Sequence, residues 1–462
     1  MQETRRPLVR STYNYFVKRR DGVMAYNARS GTFAHLTEDV AEWLQSTGPV
    51  PDSSETSSLL EMGLLHHGDE LEQILTEYEA GHRGDSLGLT IAPTLACNRS
   101  CDYCYQNEYR TDTIMSVETQ DATVRFVGEM VRAGRTSVNC TFYGGEPLLA
   151  KDVVLSLSRR LRTEIEAEGG TFDDIGIVTN GALLDVETAR ELVAVGCTSA
   201  QISIDSLLDD GKALRGVIDA EGRPSSILTN AVAAKEHLTI GLRVNVSHKN
   251  RADLPEILRI LREHGLQAET YLARVDDFDG EAGFVTKPDG TRDKPSRKSL
   301  PLVRADQDVL PRPEFARIEY EAHLKRPGYL QKIVDRLTPK PHACGATAGS
   351  LFVVDPAGRI SACWNSVGIA GETIGSVHGL PVEGVSALRS PFLDYTPLGY
   401  ATCSTCKVLP LCVGGCSHSR VYLDAQKPPC EAIKYQIDAC VNIVGSRLVV
   451  NAPAAEKSDA SA

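Results

Sequence analysis

The chain has 462 residues, enough for two or three domains and a sizeable core. Its formal charge of −12 and pI near 5.5 exclude a protein that grips a nucleic-acid backbone through a basic face. It shows no N-terminal apolar signal and no apolar run long enough to span a bilayer, so the thirteen cysteines are expected to be reduced, metal-bound and cytoplasmic.

Residues 1–84 stand apart. Apolar stretches at 13–18 and 23–26 flank Asp21-Gly22, the dipeptide that favours a hairpin turn. A turn over 27–31 leads to a third strand at 32–36. Thr37 is placed to cap a helix whose first turn holds Glu38 and Asp39 and which carries Val40, Trp43 and Leu44. A second helix opens at Asp69, puts Leu71, Ile74, Leu75 and Tyr78 on one face and stops near Gly81. Three strands followed by helices predict a small α+β, winged-helix-like domain. It is similar to the peptide-recognition domain fused to many enzymes that mature ribosomal peptides, which adds a leader peptide to its sheet edge. A structural cap over the next domain has the same pattern.

Residues 85–273 alternate strand and helix. Strands are predicted at 89–94, 138–142, 175–179, 200–204, 242–246 and 268–272. One helix starts near Val117 and turns Val124, Val127 and Val131 inward; another runs from Asp185 to a stop at Gly196. Such units build a parallel sheet with right-handed crossovers, here an α/β fold with a partial (β/α)6 TIM-like barrel. Chemistry then belongs at the carboxyl ends of the strands.

Each strand end carries a motif. After the first come Cys97, Cys101 and Cys104, spaced C-x3-C-x2-C, with Tyr103 before the third. Thiolates this dense suit zinc or an iron–sulfur cluster. A closed zinc site needs a fourth ligand nearby, and the next cysteine is Cys140. Three thiolates on a four-iron cube leave one iron open. The second strand ends in Tyr143-Gly144-Gly145-Glu146-Pro147, with glycines for close backbone approach and an anion for an ammonium group. The third ends in Thr179-Asn180-Gly181, also a common turn. Ser203 closes the fourth, and Arg215 in the next segment offers a guanidinium to a carboxylate.

Residues 274–335 form a polar insertion and a linking helix; the Pro- and Gly-rich part, 274–313, is either a lid or a solvated loop. Residues 336–450 hold Cys344, Gly358 and Cys363, then Cys403, Cys406, Cys412, Cys416 and Cys430. Two zinc ribbons or two clusters would use such spacing. Residues 451–462 are small, polar and expected to be disordered.

Taken together, the motifs resemble those of radical S-adenosylmethionine (SAM) enzymes with a C-terminal SPASM extension, in the branch of peptide-modifying enzymes and anaerobic sulfatase maturases. The resemblance implies three [4Fe–4S] clusters. Cys97, Cys101 and Cys104 would hold the SAM-binding one. Cys344, Cys363 and Cys416 would hold the first auxiliary cluster, and Cys403, Cys406, Cys412 and Cys430 the second. Tyr103, Gly144, Gly145, Glu146, Thr179, Asn180, Ser203 and Arg215 would surround SAM, with Glu146 at its amino group and Ser203 and Arg215 at its ribose and carboxylate. Cys140, Cys197 and Cys440 fall outside the pattern and are expected as buried thiols. The first auxiliary site is expected to keep one iron open, able to hold a peptide thiolate; His342, two residues before Cys344, is the alternative fourth ligand.

The implied activity is cleavage of SAM to a 5′-deoxyadenosyl radical and oxidative crosslinking, thioether or carbon–carbon, of a precursor peptide. An external reductant such as flavodoxin or ferredoxin is implied, and no nucleic acid or membrane partner. Sulfatase maturases carry an Asp base directly after the second SPASM cysteine; here Trp364 and Asn365 follow Cys363. Formylglycine formation is the alternative reaction, and a multi-cluster electron carrier the alternative class. No catalytic residue is assigned by the sequence.

Overall fold

The computed structural model describes residues 7–51, 54–81, 84–275, 285–286, 292–293, 309–380, 384–422 and 427–450. The N-terminal unit contains β1 (Leu8–Arg10), β2 (Asn14–Arg19), β3 (Gly22–Asn27), β4 (Phe33–Leu36), α1 (Glu38–Gln45), α2 (Ser54–Glu61), β5 (Leu65–His67) and α3 (Glu70–Ala80). The expected hairpin forms, with Arg19 facing Gly22 and Gly22 at φ +138°, a conformation that excludes other side chains. β4 is added antiparallel to β3, so the sheet order is β2-β3-β4. Asp69 caps α3, accepting from the backbone N–H groups of Leu71 and Glu72. Thr37 stands at the start of α1, but its side chain makes no capping bond. The sequence pattern did not mark α2, or the pairing of β5 with β1.

The barrel follows with β6 (Ser86–Ile91), α4 (Val117–Arg132), β7 (Ser137–Phe142), α5 (Lys151–Ala167), β8 (Thr171–Thr179), α6 (Val186–Ala194) and β9 (Ser199–Ile204). It continues through β10 (Ser206–Leu208), β11 (Gly216–Ile218), α7 (Ser226–Ala234), β12 (Thr239–Val246), α8 (Leu254–Glu263) and β13 (Thr270–Arg274). The predicted six strands pair in parallel in the order β6-β7-β8-β9-β12-β13. Their inward residues, among them Leu89, Phe142, Ile177, Ile204 and Val246, form one core with the buried faces of α4 and α5. Val124, Val127 and Val131 of α4 are buried as the periodicity requires.

Beyond the barrel lie β14 (Val285–Thr286), β15 (Arg292–Asp293), α9 (Arg312–Leu324), α10 (Tyr329–Arg336), β16 (Leu351–Val354), β17 (Arg359–Ser361) and β18 (Gly375–Ser376). Three helices close the chain: α11 (Leu409–Cys412), α12 (Ser417–Val421) and α13 (Ile433–Val450). Most of the polar stretch at 274–313, and all of the tail 451–462, lie outside the described residues.

The C-terminal cysteine segment is joined to the barrel sheet. β16 pairs in parallel with β6, Leu351 opposite Gly88, and β17 and β18 extend it to nine strands. The β16–β17 turn needs Gly358, at φ +78°, where an added Cβ would lie 2.7 Å from the His378 ring. Cys363 follows two residues after β17, which pairs with β16.

A second core joins the N-terminal unit to the C-terminal helices: Tyr13, Met24 and Tyr26 pack with Leu409, Leu411, Ile437 and Val441. Removing residues 1–84 would therefore strip part of this core. Cys140, Cys197 and Cys440 are buried, as expected of structural thiols. Leu89→Ala empties a position 1% exposed at the centre of the sheet. It is expected to cost about 2–5 kcal/mol, measured by denaturant unfolding.

Candidate active site

The motifs at the strand ends enclose one cavity of about 220 Å³. Cys97, Cys101 and Cys104 are on its wall, as are Tyr103, Gly144, Gly145, Thr179, Asn180, Ser203 and Arg215. Glu146 is the one expected SAM contact that is not.

The backbone explains the glycines. At Gly144, with φ +120°, an added Cβ would approach the Thr94 carbonyl oxygen to 2.5 Å, and at Gly145 the Ala96 oxygen to 2.1 Å. This contact lets the Gly145 and Glu146 N–H groups donate to the Thr94 and Ala96 carbonyls at 3.2 and 2.8 Å. The loop after β7 is thereby lashed to the segment leading into Cys97.

Glu146 works beneath that loop. It is fully buried; one oxygen accepts from Leu148 N (3.0 Å) and Thr179 Oγ1 (2.8 Å), the other from Asn180 N (2.8 Å). Burial pushes its carboxyl upward and these donors pull it back. These bonds tie the ends of β7 and β8 together. Asn180 Nδ2 extends the tie to Asn98 Oδ1 in the cysteine loop (2.7 Å).

Arg215 also has an internal partner. Its Nε and one terminal nitrogen donate to Asp205 Oδ2 at 2.9 and 2.6 Å, and its backbone N–H to Oδ1 at 3.1 Å. Tyr103 donates its hydroxyl to Asp205, touches Arg215 and accepts from Asn245 Nδ2 at 2.9 Å. Arg215 therefore meets the cavity as one member of a buried network. Sequence reasoning did not single out Asp205 or Asn245 for this role. Asp205 stood in plain sight two residues after Ser203, whereas Asn245 had no local signal.

The C-terminal segment completes the wall with Trp364 and Asn365. The Trp364 ring lies 5.4 Å from that of Tyr143. Tyr105 Oη is 2.7 Å from Tyr143 Oη and donates to the Trp364 carbonyl at 2.9 Å. Both phenols are raised by burial, and further by Cys104 and Cys363. Tyr105, Tyr143 and Trp364 thus form one aromatic wall of the cavity.

Cys344, Cys363 and Cys416 are close enough for the first and last to act on the middle thiol. Cys403, Cys406, Cys412 and Cys430 line a second, smaller cavity, where Lys434 Nζ donates to Cys430 Sγ at 3.2 Å. The His342 ring packs 4.9 Å from Tyr78 and fills the space beside Gly81, engaged with the N-terminal unit. Among the described residues no three His, Cys, Asp or Glu side chains are gathered to hold a single metal ion. Three thiols bordering one cavity are a donor set that fits an iron–sulfur cluster.

Residues 91–261 match the family model described as the radical SAM superfamily. The chain carries a radical SAM domain. Such a domain implies one [4Fe–4S] cluster and SAM. The pre-heme d1 synthase of Dinoroseobacter shibae is 28% identical over 193 residues, covering 39% of this chain and 42% of that relative. The chain thus spans less than half of that protein's length. The GTP 3′,8-cyclase of Tolumonas auensis is 24% identical over 261 residues, covering 54% of this chain and 74% of the cyclase. The solved structure of native anSMEcpe with bound AdoMet and Cp18Cys peptide is similar at a TM-score of 0.54 and 17% identity. That likeness covers 78% of this chain and 99% of the other, and establishes the radical SAM fold. Among the described residues no helix is long and apolar enough to cross a membrane.

Glu146→Ala would leave two buried N–H groups and a hydroxyl without an acceptor. It is expected to cost about 3 kcal/mol or more in chemical unfolding. Iron bound by the radical SAM domain should fall with it, read by iron content against wild type.

Proposed function

We propose that the chain is a cytoplasmic radical SAM/SPASM enzyme that oxidatively crosslinks a ribosomally made precursor peptide, through a thioether or carbon–carbon bond. The observation that carries this reading is the shared wall. Trp364 and Asn365, directly after Cys363, border the cavity that also holds Cys97, Cys101 and Cys104. A substrate in that cavity meets the first cysteine group and the two residues that follow Cys363.

Cys97, Cys101 and Cys104 hold the SAM-binding cluster, which with bound SAM supplies a 5′-deoxyadenosyl radical able to abstract hydrogen. Gly144 and Gly145 give SAM close access to the backbone, Ser203 and Arg215 orient it, and Tyr103, Thr179 and Asn180 line its place. Cys344, Cys363 and Cys416 hold the first auxiliary cluster. Cys403, Cys406, Cys412 and Cys430 hold the second, making three clusters in all. The engagement of His342 with Tyr78 supports leaving the first auxiliary site a position for a substrate thiolate. Trp364 stands where sulfatase maturases have their Asp base, and an indole accepts no proton at neutral pH. That favours crosslinking over formylglycine formation.

The N-terminal unit keeps β4 at the edge of its sheet, which supports addition of a leader strand. Electrons enter from an external carrier such as flavodoxin or ferredoxin. Reconstituted, dithionite-reduced protein is expected to release 5′-deoxyadenosine from SAM. The variant with Cys97, Cys101 and Cys104 all changed to Ala should release none while keeping about two thirds of its iron, since two of three clusters remain. Loss of all iron, or continued cleavage, would count against the assignment.

A further inference from the structure

Among the described residues five arginines border the cavity, Arg99, Arg110, Arg215, Arg243 and Arg274, and no Asp or Glu does. Two are neutralised in place: Arg215 by Asp205 at 2.6 Å and Arg99 by Asp209 at 2.7 Å. Arg243 is not. It stands on β12, in register with Ser203 of β9 and Tyr271 of β13. Its Nε donates to the neutral Asn245 Oδ1 at 2.9 Å, and its terminal nitrogens have no acceptor among the described residues. A guanidinium held this way presents a planar fork suited to a carboxylate.

The cations differ in their partners. Arg215 and Arg99 are tied to acidic side chains of the chain itself, whereas Arg243 stands in register with Tyr271 and lines the cavity together with Tyr143. Tyr143 is the ring that stacks on Trp364. Arg243 and the C-terminal segment therefore border the same cavity. The Arg243 fork, with no acidic side chain bonded to it among the described residues, matches a carboxylate.

We propose that Arg243 anchors an acidic side chain, Asp or Glu, of the peptide substrate and so selects peptides with a carboxylate beside the residue presented for modification. This rests on the peptide-modifying reading above.

Calorimetric titration of the reconstituted full-length protein, with SAM present and no reductant, tests it. The probes are Ac-Ala-Glu-Ala-NH2 and Ac-Ala-Gln-Ala-NH2. The Glu peptide is expected to bind about tenfold tighter or more, as a charge-assisted bond to arginine implies. Arg243→Gln should reduce that preference to about threefold or less, and Arg243→Lys should retain part of it. The fall in SAM affinity should stay within about threefold in both variants. The peptide swap leaves the protein untouched, so misfolding of a variant cannot mimic the preference. Equal binding of the two peptides by wild type, or binding of neither, overturns the proposal. So does a preference that survives Arg243→Gln while SAM affinity collapses, which would give Arg243 to the SAM carboxylate. Tight GTP binding that Arg243→Gln abolishes, without a Glu preference, would give the site to a nucleotide. Release of 5′-deoxyadenosine by the same preparation after reduction separates the two levels. With cleavage and no Glu preference only this inference fails; with no cleavage the underlying reading fails.

Discussion

A carboxylate with no contact with water holds the site together. Burying Glu146 ionised carries a penalty of several kcal/mol, offset here by bonds from Leu148, Thr179 and Asn180. Those donors come from the loop after β7 and the end of β8. The same loop is tied through its backbone to the segment entering Cys97. One side chain thus fixes the cavity floor on which the cysteine loop, the glycines and Asn180 depend. The close backbone approach at Gly144 and Gly145 is the steric half of that constraint.

The second organising fact is the continuity of the sheet. Because β16 pairs with β6, the chain after β17 returns to the mouth of the barrel instead of forming a detached cysteine-rich module. Trp364 then stacks on Tyr143 and receives the Tyr105 hydroxyl at its carbonyl. The aromatic wall beside Cys104 is thus completed by a residue that directly follows Cys363. The N-terminal unit is bound in as firmly, since Tyr13, Met24 and Tyr26 share a core with α11 and α13.

Local patterns were readable in the sequence. The Asp21-Gly22 hairpin, the Asp69 cap and the six barrel strands each leave a signature within a few residues, and the structure has them near the expected places. Contacts between distant segments were not readable. Nothing in Leu351–Val354 says that its neighbour is Ser86–Ile91, and nothing in Arg243 or Asn245 says that they reach the cavity. Glu146 shows a subtler limit. Its residue type and motif were visible, but the three donors from the chain itself that hold it, two of them backbone groups, were not. Arg215 is similar, since Asp205 claims its charge before any ligand arrives.

The central claim is that SAM binds a cluster at Cys97, Cys101 and Cys104 in the cavity that the C-terminal segment helps to wall. Electron paramagnetic resonance of the reduced, reconstituted protein with and without SAM tests it most directly. The account predicts that SAM alters the wild-type spectrum and leaves unchanged the spectrum of the variant lacking those three cysteines. A wild-type spectrum indifferent to SAM, or a SAM-dependent change that persists in the variant, would contradict it.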